Sequence, residues 1–257
     1  MKAMILAAGV GSRLRPLTDT TPKALVEVGG MTMLEITIRR LKMSGVAEII
    51  VNAHHHAQQI KDFLKKKNYF DIRMEISEES TLLDTGGGLK KASYFFDDET
   101  PFFLHNADTL STVDLLAMYR AHLKSGALAT LAVKTRESSR LLAFNADGNL
   151  CGRQAVSGGK TTLTGDCGPS TVKMGFGGIH VISPAIFPLM TESGVFSITN
   201  VYLRLALAGE TIRAFDTASY YWKDIGSLEK LEAARSDFRE KRYQFDFPPD
   251  IATARLL

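Results

Sequence analysis

The clearest chemical signal in the sequence is a loop of small residues near the N-terminus, LAAGVGSRLRPLTDTTPKALVEVGG over residues 6–30. The loop follows a short apolar run, Lys2–Leu6, which predicts a buried strand. Glycines allow a close approach of the backbone to a ligand, so the exposed N–H groups of residues 7–11 can bind phosphate oxygens. The loop residues that we expect to contact a nucleotide are Leu6, Ala7, Ala8, Gly9 and Gly11.

Two better-known phosphate-binding motifs do not match the spacing of this loop. A dinucleotide-binding fingerprint needs a third glycine where Leu14 stands, and an acidic residue after the second strand where Asn52 and Ala53 stand. A Walker A loop needs Gly-Lys-Ser/Thr five residues after its first glycine, and nothing from Gly9 onward supplies it. What remains is another kind of phosphate loop or, as the alternative, a glycine-rich turn with basic residues on the surface.

Two cations in the same loop favour a triphosphate ligand. Arg13 can hold two oxygens of a leaving pyrophosphate with its planar fork, whereas Lys23 can place a point charge at the phosphoryl group under attack. Pro16 and Pro22 stiffen the loop and lower the entropy cost of holding these charges in place. We therefore expect Arg13 and Lys23 to be the catalytic residues.

Residues 6–18 and 22–30 together resemble the signature of the sugar-phosphate nucleotidyltransferases, and the resemblance covers nearly the whole chain to about residue 235. Within that family the chain resembles N-acetylmuramate 1-phosphate uridylyltransferases and heptose or mannose 1-phosphate guanylyltransferases. The resemblance implies the transfer of a nucleoside monophosphate from an NTP, UTP or GTP being favoured, to a sugar 1-phosphate. The further motifs that carry it are LDTGGG at residues 83–88, HNAD at 105–108, FGGI at 176–179 and WKDIG at 222–226.

This chemistry calls for a metal ion but not for a general base. In-line phosphoryl transfer gathers negative charge on equatorial oxygens, so a Mg²⁺ site made of carboxylates is expected. Asp108 and Asp224 each follow a predicted strand and would emerge at the carboxyl edge of the sheet, and the resemblance assigns the metal to this pair. Ala107 stands where family members commonly carry glycine, which is a small departure. The attacking sugar phosphate is already ionised at neutral pH, since its second pKa is about 6.

An acidic pair and a run of glycines are the candidates for binding the base. Gly86 and Gly87 offer unhindered amides, and the resemblance places them at the nucleobase or ribose. A carboxylate accepts from uracil N3–H or from guanine N1–H and N2–H, so a glutamate facing the base would disfavour CTP. The sequence alone leaves open whether Glu78 or Glu79 faces the base, and we take Glu79 as the candidate.

The sugar-binding residues are implied by resemblance alone. Asn106, Gly177, Gly178 and Asn200 occupy the matching positions. Relatives often carry an acidic residue near Asn200, so this position departs from the family pattern. The alternative for the whole chain is a catalytically idle homologue that binds a nucleotide sugar and regulates a partner.

Strands and helices alternate along the chain, which predicts an α/β fold. We expect a three-layer, Rossmann-like nucleotidyltransferase fold: a mixed, mostly parallel central sheet with helices on both faces and a small antiparallel insertion. The insertion should span about residues 141–178, because the rhythm there changes to short strands around a hairpin signal at Asp147-Gly148. One domain over residues 1–242 and a tail over 243–257 are predicted, with helices at Met33–Met43 and at residues 89–96.

Composition excludes several other classes of protein. The chain has 257 residues, 45% of them hydrophobic, and a formal net charge of +3. Basic and acidic residues are interspersed, so no nucleic-acid partner is expected. No apolar run approaches the length of about 20 residues that spans a bilayer, and no signal-peptide pattern is present. Cys151 and Cys167 show no zinc-motif spacing and predict reduced thiols.

These features together predict a cytoplasmic enzyme whose partners are an NTP and a sugar 1-phosphate. The family members that it resembles imply nucleotide-sugar synthesis for cell-envelope polysaccharide. The residues leave open the sugar, the base and the oligomeric state, a homodimer being one alternative.

Overall fold

The computed structural model describes residues 1–138, 140–157, 160–244 and 247 of the chain. Within these residues strands and helices alternate, as the sequence predicts. The helices are α1 (Met33–Met43), α2 (Ala57–Lys66), α3 (Asp84–Lys91), α4 (Leu115–Ser125), α5 (Ile198–Leu207) and α6 (Leu228–Arg239). The strands are β1 (Lys2–Leu6), β2 (Glu27–Val28), β3 (Met31–Thr32), β4 (Glu48–Ala53), β5 (Arg73–Glu78), β6 (Phe102–Asn106), β7 (Thr109–Ser111), β8 (Ala129–Lys134), β9 (Arg140–Phe144), β10 (Leu150–Ser157), β11 (Lys160–Thr164), β12 (Val172–Ile182), β13 (Ile212–Asp216) and β14 (Trp222–Asp224).

One large mixed sheet organises the molecule, and β1 lies in its parallel half. β1 pairs in parallel with β4 on one side and with β6 on the other, and β5 continues the sheet beyond β4. Beyond β6 the direction changes, because β12 runs antiparallel to β6 and β8 antiparallel to β12, while β13 joins β8 in parallel. The predicted α/β fold with a mixed sheet is confirmed. The carboxyl ends of β1, β4 and β6 share one edge, the usual place for a ligand in such a sheet.

The antiparallel part that the hairpin signal predicted is also present. β9 and β10 form a hairpin, β11 pairs with β10, and β9 pairs with β12. In this part Cys151 of β10 and Cys167 of the loop before β12 form a disulfide, with their Cα atoms 5.2 Å apart. The prediction of two reduced thiols is therefore wrong. Sequence spacing argued against zinc but could not show that the fold brings these two residues together.

The residues of β1 alternate between two hydrophobic cores, one on each face of the sheet. Ala3 and Ile5 face the core that α1, α2 and α4 cover, whereas Met4 faces the core covered by α3 and α5. This follows from the two-residue period of a strand, whose successive side chains point to opposite faces. Because both faces are covered, the strand reads as a continuous apolar run.

One helix lies in a different place from the prediction. The sequence predicted a helix over residues 89–96, but α3 begins at Asp84 and contains three consecutive glycines. A β-carbon at Gly86 would lie 2.5 Å from the ring of Phe196, and one at Gly88 would lie 2.7 Å from a carboxylate oxygen of Glu79. Close packing therefore requires glycine here and overrides its low intrinsic helix propensity.

A third apolar cluster lies between α1, α6 and the start of the predicted tail. Tyr243 is buried in it, and its ring stacks on that of Tyr221 with the centroids 4.8 Å apart. Of the predicted tail, only residues 243, 244 and 247 are among those that the structure describes. Among all described residues, no helix is long and apolar enough to cross a membrane.

Candidate active site

The loop after β1 folds back on itself and is held by a single glycine. Gly11 has a φ of +67°, and its carbonyl oxygen accepts from the hydroxyl of Thr18 at 2.8 Å. A β-carbon at position 11 would lie 2.9 Å from Thr18 Cγ2 and 3.1 Å from Lys23 Cβ. The left-handed backbone and the lack of space both require glycine at this position. As a result, Arg13 and Lys23 lie beside the same cleft.

The cleft has a volume of about 450 Å³ and opens where β1, β4 and β6 end. This size suits a small-molecule ligand. Of the residues predicted from sequence, those that line it are Leu6, Ala7, Ala8, Gly9, Gly11, Arg13, Lys23, Glu79, Asn106 and Asp108. Its wall also contains Ser12, Ala24, Asn52, Leu82, Asp84, Thr85, Ala107, Val195 and Gly226.

Asn52 is a wall residue that the sequence analysis did not identify as functional. It is the penultimate residue of β4 and is 3% exposed. Its side-chain oxygen accepts from Ala7 N at 2.7 Å, and its side-chain nitrogen donates to Glu79 Oε1 at 2.7 Å. Asn52 thus connects the phosphate loop to the candidate base-binding glutamate. A buried amide at the end of an apolar strand was the signal that could have pointed to it.

The structure distinguishes the two adjacent glutamates. Glu78 is exposed and forms an ion pair with Lys61, whose hydrogen bond and charge lower the pKa of the Glu78 carboxyl. Glu79 is 2% exposed and lines the cleft, and its Oε2 accepts from Leu83 N at 2.9 Å. Of the two, Glu79 faces the cleft, as the candidate assignment requires.

Two of the predicted nucleotide-binding glycines lie behind the wall of the cleft. The N–H groups of Gly86 and Gly87 donate to the carbonyl oxygen of Phe196 at 2.9 and 3.2 Å. In this structure these amides hold α3 against the loop before α5, and neither glycine is among the residues that line the cleft. Asp84 and Thr85, the two residues directly before them, line it instead.

The two candidate metal ligands come together through a pair of very short strands. Asp224 of β14 lies opposite Thr109 of β7 in an antiparallel pair, and Ile225 N donates to Asp108 O at 3.0 Å. The Asp108 carboxylate forms an ion pair with Lys23. Residues far apart in the sequence thus become neighbours at the edge of the cleft.

Asp224 lies next to the cleft rather than in its lining. Its Oδ1 accepts from Gly226 N at 3.1 Å, and its Oδ2 accepts from Lys230 Nζ at 2.6 Å. Burial raises the pKa of Asp224, but the hydrogen bond and charge of Lys230, together with the Gly226 N–H and the charge of Arg136, hold that pKa below its ordinary value. A β-carbon at Gly226 would lie 2.7 Å from Asp224 Oδ1 and 3.0 Å from Arg13 Nη2, so glycine leaves space for Asp224 and Arg13 to lie close together.

The side chains near the phosphate loop suit Mg²⁺ better than they suit a metal ion that is coordinated only by protein side chains. Among the described residues, no group of three or more His, Cys, Asp or Glu side chains could hold a metal ion. Asp108 and Asp224 supply two ionisable carboxylates near the phosphate loop. Mg²⁺ is usually bound in this way, by one or two carboxylates together with waters and substrate phosphates.

The predicted sugar-binding residues are only partly brought together. Gly178 packs against Asn106, since a β-carbon there would lie 2.6 Å from Asn106 Nδ2, and Gly178 has a φ of +77°. The carbonyl oxygen of Gly177 accepts from Trp222 Nε1 at 2.8 Å. Asn200 is exposed on α5, where its oxygen accepts from Arg153 at 3.2 Å, and it does not line the cleft.

Known proteins resemble this chain in sequence. Residues 2–144 match the family described as nucleotidyl transferase. An N-acetylmuramate alpha-1-phosphate uridylyltransferase of Neisseria meningitidis serogroup B is 40% identical over 121 residues, which are 47% of this chain and 52% of that protein. A mannose-1-phosphate guanyltransferase of Yarrowia lipolytica is 30% identical over 230 residues, 88% of this chain and 61% of that protein. The chain therefore spans about half the length of these curated relatives.

Solved structures share the fold. HddC from Yersinia pseudotuberculosis, complexed with GMP-PN, superposes with a TM-score of 0.71 at 22% identity, over 92% of this chain and 99% of that one. A UDP-glucose pyrophosphorylase complexed with UDP-glucose gives a TM-score of 0.73 at 17% identity, over 94% of this chain and 99% of that one. The family match covers more than half of the chain, and the fold agrees with it. The chain belongs to the nucleotidyl transferase family.

Proposed function

We propose that the protein transfers a nucleoside monophosphate from UTP or GTP to a sugar 1-phosphate and releases pyrophosphate. The observation that carries this proposal is the meeting of Arg13, Lys23 and Asp108 on the cleft formed by the phosphate loop. The uridylyltransferase and guanyltransferase names of the relatives support the same reaction class.

The proposed step is an in-line displacement at the α-phosphorus. An oxygen of the sugar phosphate forms a new bond to that phosphorus, the bond from it to the bridging oxygen breaks, and pyrophosphate leaves with the electron pair. Arg13 would hold the leaving pyrophosphate, while Lys23 would hold the α-phosphate and the acceptor phosphate. Lys23 pairs with Asp108 in this structure, so it would share its charge between that carboxylate and the substrate.

Asp108 and Asp224 would hold Mg²⁺. When bound, the ion would neutralise charge on the phosphate oxygens. Lys230 would keep Asp224 ionised, because its hydrogen bond and charge hold the pKa of that carboxyl low. On the other side of the cleft, Glu79 would accept a hydrogen bond from the base, uracil or guanine.

The test is pyrophosphate release over a panel of NTPs and sugar 1-phosphates, with and without Mg²⁺. Asp108→Asn should lower kcat by about 100-fold or more, since it removes a charge from the centre of the reaction. Asp62→Asn is the matched control, because Asp62 is exposed on α2, outside the lining of the cleft, and its side chain accepts from Gln58 Nε2 at 2.8 Å. Nucleotide-sugar binding without pyrophosphate release would identify the idle regulatory homologue instead. Wild-type activity in Asp108→Asn would exclude the metal assignment.

The relative that acts on N-acetylmuramate 1-phosphate supports a further part of the proposal. On this basis the product would supply the synthesis of cell-envelope polysaccharide. The reaction would take place in the cytoplasm, where nucleoside triphosphates are made.

A further inference from the structure

Arg136 is a half-buried cation to which the proposed reaction assigns no role. It lies two residues beyond the end of β8. Its Nη2 donates to the carbonyl oxygen of Phe176 at 2.8 Å, and the guanidinium carbon lies 4.2 Å from the centroid of the Trp222 ring. A β-carbon at Gly175 would lie 2.3 Å from Arg136 Nε, so glycine leaves the space that the side chain occupies. The guanidinium is therefore held in a defined plane.

This guanidinium keeps one donor that the described residues do not satisfy. Its Nε is buried and has no hydrogen-bond partner among the residues that the structure describes. Within the part of the chain that the structure describes, no carboxylate lies within ion-pair distance of it. Burial lowers the pKa of Arg136, and the charge of Asp224 partly offsets this effect, but an arginine stays protonated in proteins. Burying a cation with an unpaired N–H group costs free energy, unless an anion pairs with the charge and accepts from that group.

The surroundings of Arg136 place it on the sugar side of the site. Trp222, which supports the guanidinium, precedes Asp224 by two residues on β14 and donates to the carbonyl oxygen of Gly177. The next residue, Gly178, packs against Asn106, which lines the cleft. One indole ring thus connects Arg136 to the candidate metal ligand and to the segment where the sugar is expected.

We propose that Arg136 binds an anionic group of the acceptor sugar phosphate and so selects the acceptor. The proposal rests on the proposed function. A planar guanidinium pairs with phosphate or carboxylate through two parallel hydrogen bonds, and stacking on an aromatic ring holds it ready for that geometry. The anion is either the phosphate at C1, which every acceptor carries, or a second acidic group on the sugar.

The experiment compares Arg136→Gln and Arg136→Lys with the wild type in steady-state pyrophosphate release. The acceptors are glucose 1-phosphate, which has one anionic group, and glucuronic acid 1-phosphate and N-acetylmuramate 1-phosphate, which have two. Arg136→Gln should raise the KM for the acceptor about 10- to 100-fold, the loss expected for a charge-assisted hydrogen bond, and leave the KM for the NTP unchanged. Arg136→Lys should recover part of this loss. Arg120→Gln, an exposed change on α4, is the matched control.

The pattern over acceptors identifies the anion. An equal rise for all three acceptors assigns Arg136 to the C1 phosphate, and a rise confined to the two acidic sugars assigns it to the second acid. A fall in kcat with unchanged acceptor KM throughout would mean that Arg136 only supports Trp222, and it would overturn the proposal. Circular dichroism and the melting temperature of Arg136→Gln show whether the fold is retained.

Calorimetry separates failure of this proposal from failure of the proposed function. Binding of the same acceptors is measured in the presence of the α,β-methylene analogue of UTP or GTP. If the wild type binds an acceptor but releases no pyrophosphate, the proposed function is wrong, and loss of that binding in Arg136→Gln still supports the role of Arg136. If the wild type and Arg136→Gln bind the acceptor equally well, the proposed role of Arg136 is wrong. If the wild type binds none of the sugar 1-phosphates of the panel, both proposals are wrong.

Discussion

The side-chain amide of Asn52 donates a 2.7 Å hydrogen bond to the buried carboxylate of Glu79. The other end of the same amide accepts from Ala7 N. Asn52 thus makes the phosphate loop and the candidate base-binding wall one connected network, in which each polar atom has a partner. Such buried networks hold their members in a single arrangement, and losing one partner costs more than one hydrogen bond.

Glu79→Gln should change both base selection and stability. The new amide nitrogen cannot accept from the base, Asn52 or Leu83, so the kcat/KM for UTP and GTP should fall about 10- to 100-fold relative to CTP. The free energy of unfolding should fall by about 1–3 kcal/mol, because one buried donor loses its acceptor. Glu78→Gln is the matched control, since it alters only an exposed ion pair, which water and salt screen. Equal base selectivity in the two variants would contradict the assignment of Glu79.

Gly226→Ala should lower activity with little effect on folding. The added methyl group would lie 2.7 Å from Asp224 Oδ1 and 3.0 Å from Arg13 Nη2, so it would push apart two groups of the candidate site. We expect kcat to fall about 10- to 100-fold, the usual effect of small displacements in an active site. The melting temperature is measured in parallel. Unchanged kcat in a folded variant would show that the closeness of Asp224 to Arg13 is not needed for turnover.

Stability should decrease in mildly acidic solution because three buried imidazoles stay neutral. Burial lowers the pKa of His105 and His122 to about 4 and that of His180 to about 3, from an ordinary value of 6.5. Above pH 6.5 the folded and unfolded states are both neutral at these residues. Between pH 6.5 and about 4 only the unfolded state takes up the protons, so stability is lost as the pH falls.

The expected loss is about 1.4 kcal/mol per pH unit for each histidine that stays neutral. Urea unfolding at pH 7.5, 6.5 and 5.5 measures it. His180→Phe should weaken the pH dependence, because it removes one of the three groups. A free energy of unfolding that stays constant from pH 7.5 to 5.5 would disprove the prediction.

The disulfide between Cys151 and Cys167 should be detectable by chemistry and by stability. Thiol titration of the denatured, unreduced protein should find no free thiol, since the structure has no free cysteine and the sequence contains two. Closing a loop of this length stabilises a protein by about 3 kcal/mol, so dithiothreitol should lower the melting temperature. The double variant Cys151→Ser/Cys167→Ser is the control, because dithiothreitol should not affect it. Two free thiols in the native protein would refute the pairing.

Elements with strong periodicity could be predicted closely from the sequence. The predicted helix Met33–Met43 has those bounds in the structure, and Thr32 caps it through a hydrogen bond from Glu35 N. Ser197 and Ser227 likewise cap α5 and α6. These signals are local, since they depend on side-chain spacing and on polar groups within one turn. The three glycines of α3 follow no such local rule, because close packing against Phe196, the backbone of Gly194 and Glu79 requires them.

The sequence by itself determined the α/β class, the phosphate loop with Arg13 and Lys23, and the family. All three depend on residue types at short, fixed spacing, which the order of the chain records directly. Only the tertiary structure decided that Glu79 rather than Glu78 faces the cleft, that Asn52 joins it to the loop, and that Asp224 lies beside Asp108. These relationships depend on how distant strands pair and on the direction in which their side chains point. The spacing of residues along the sequence does not specify either.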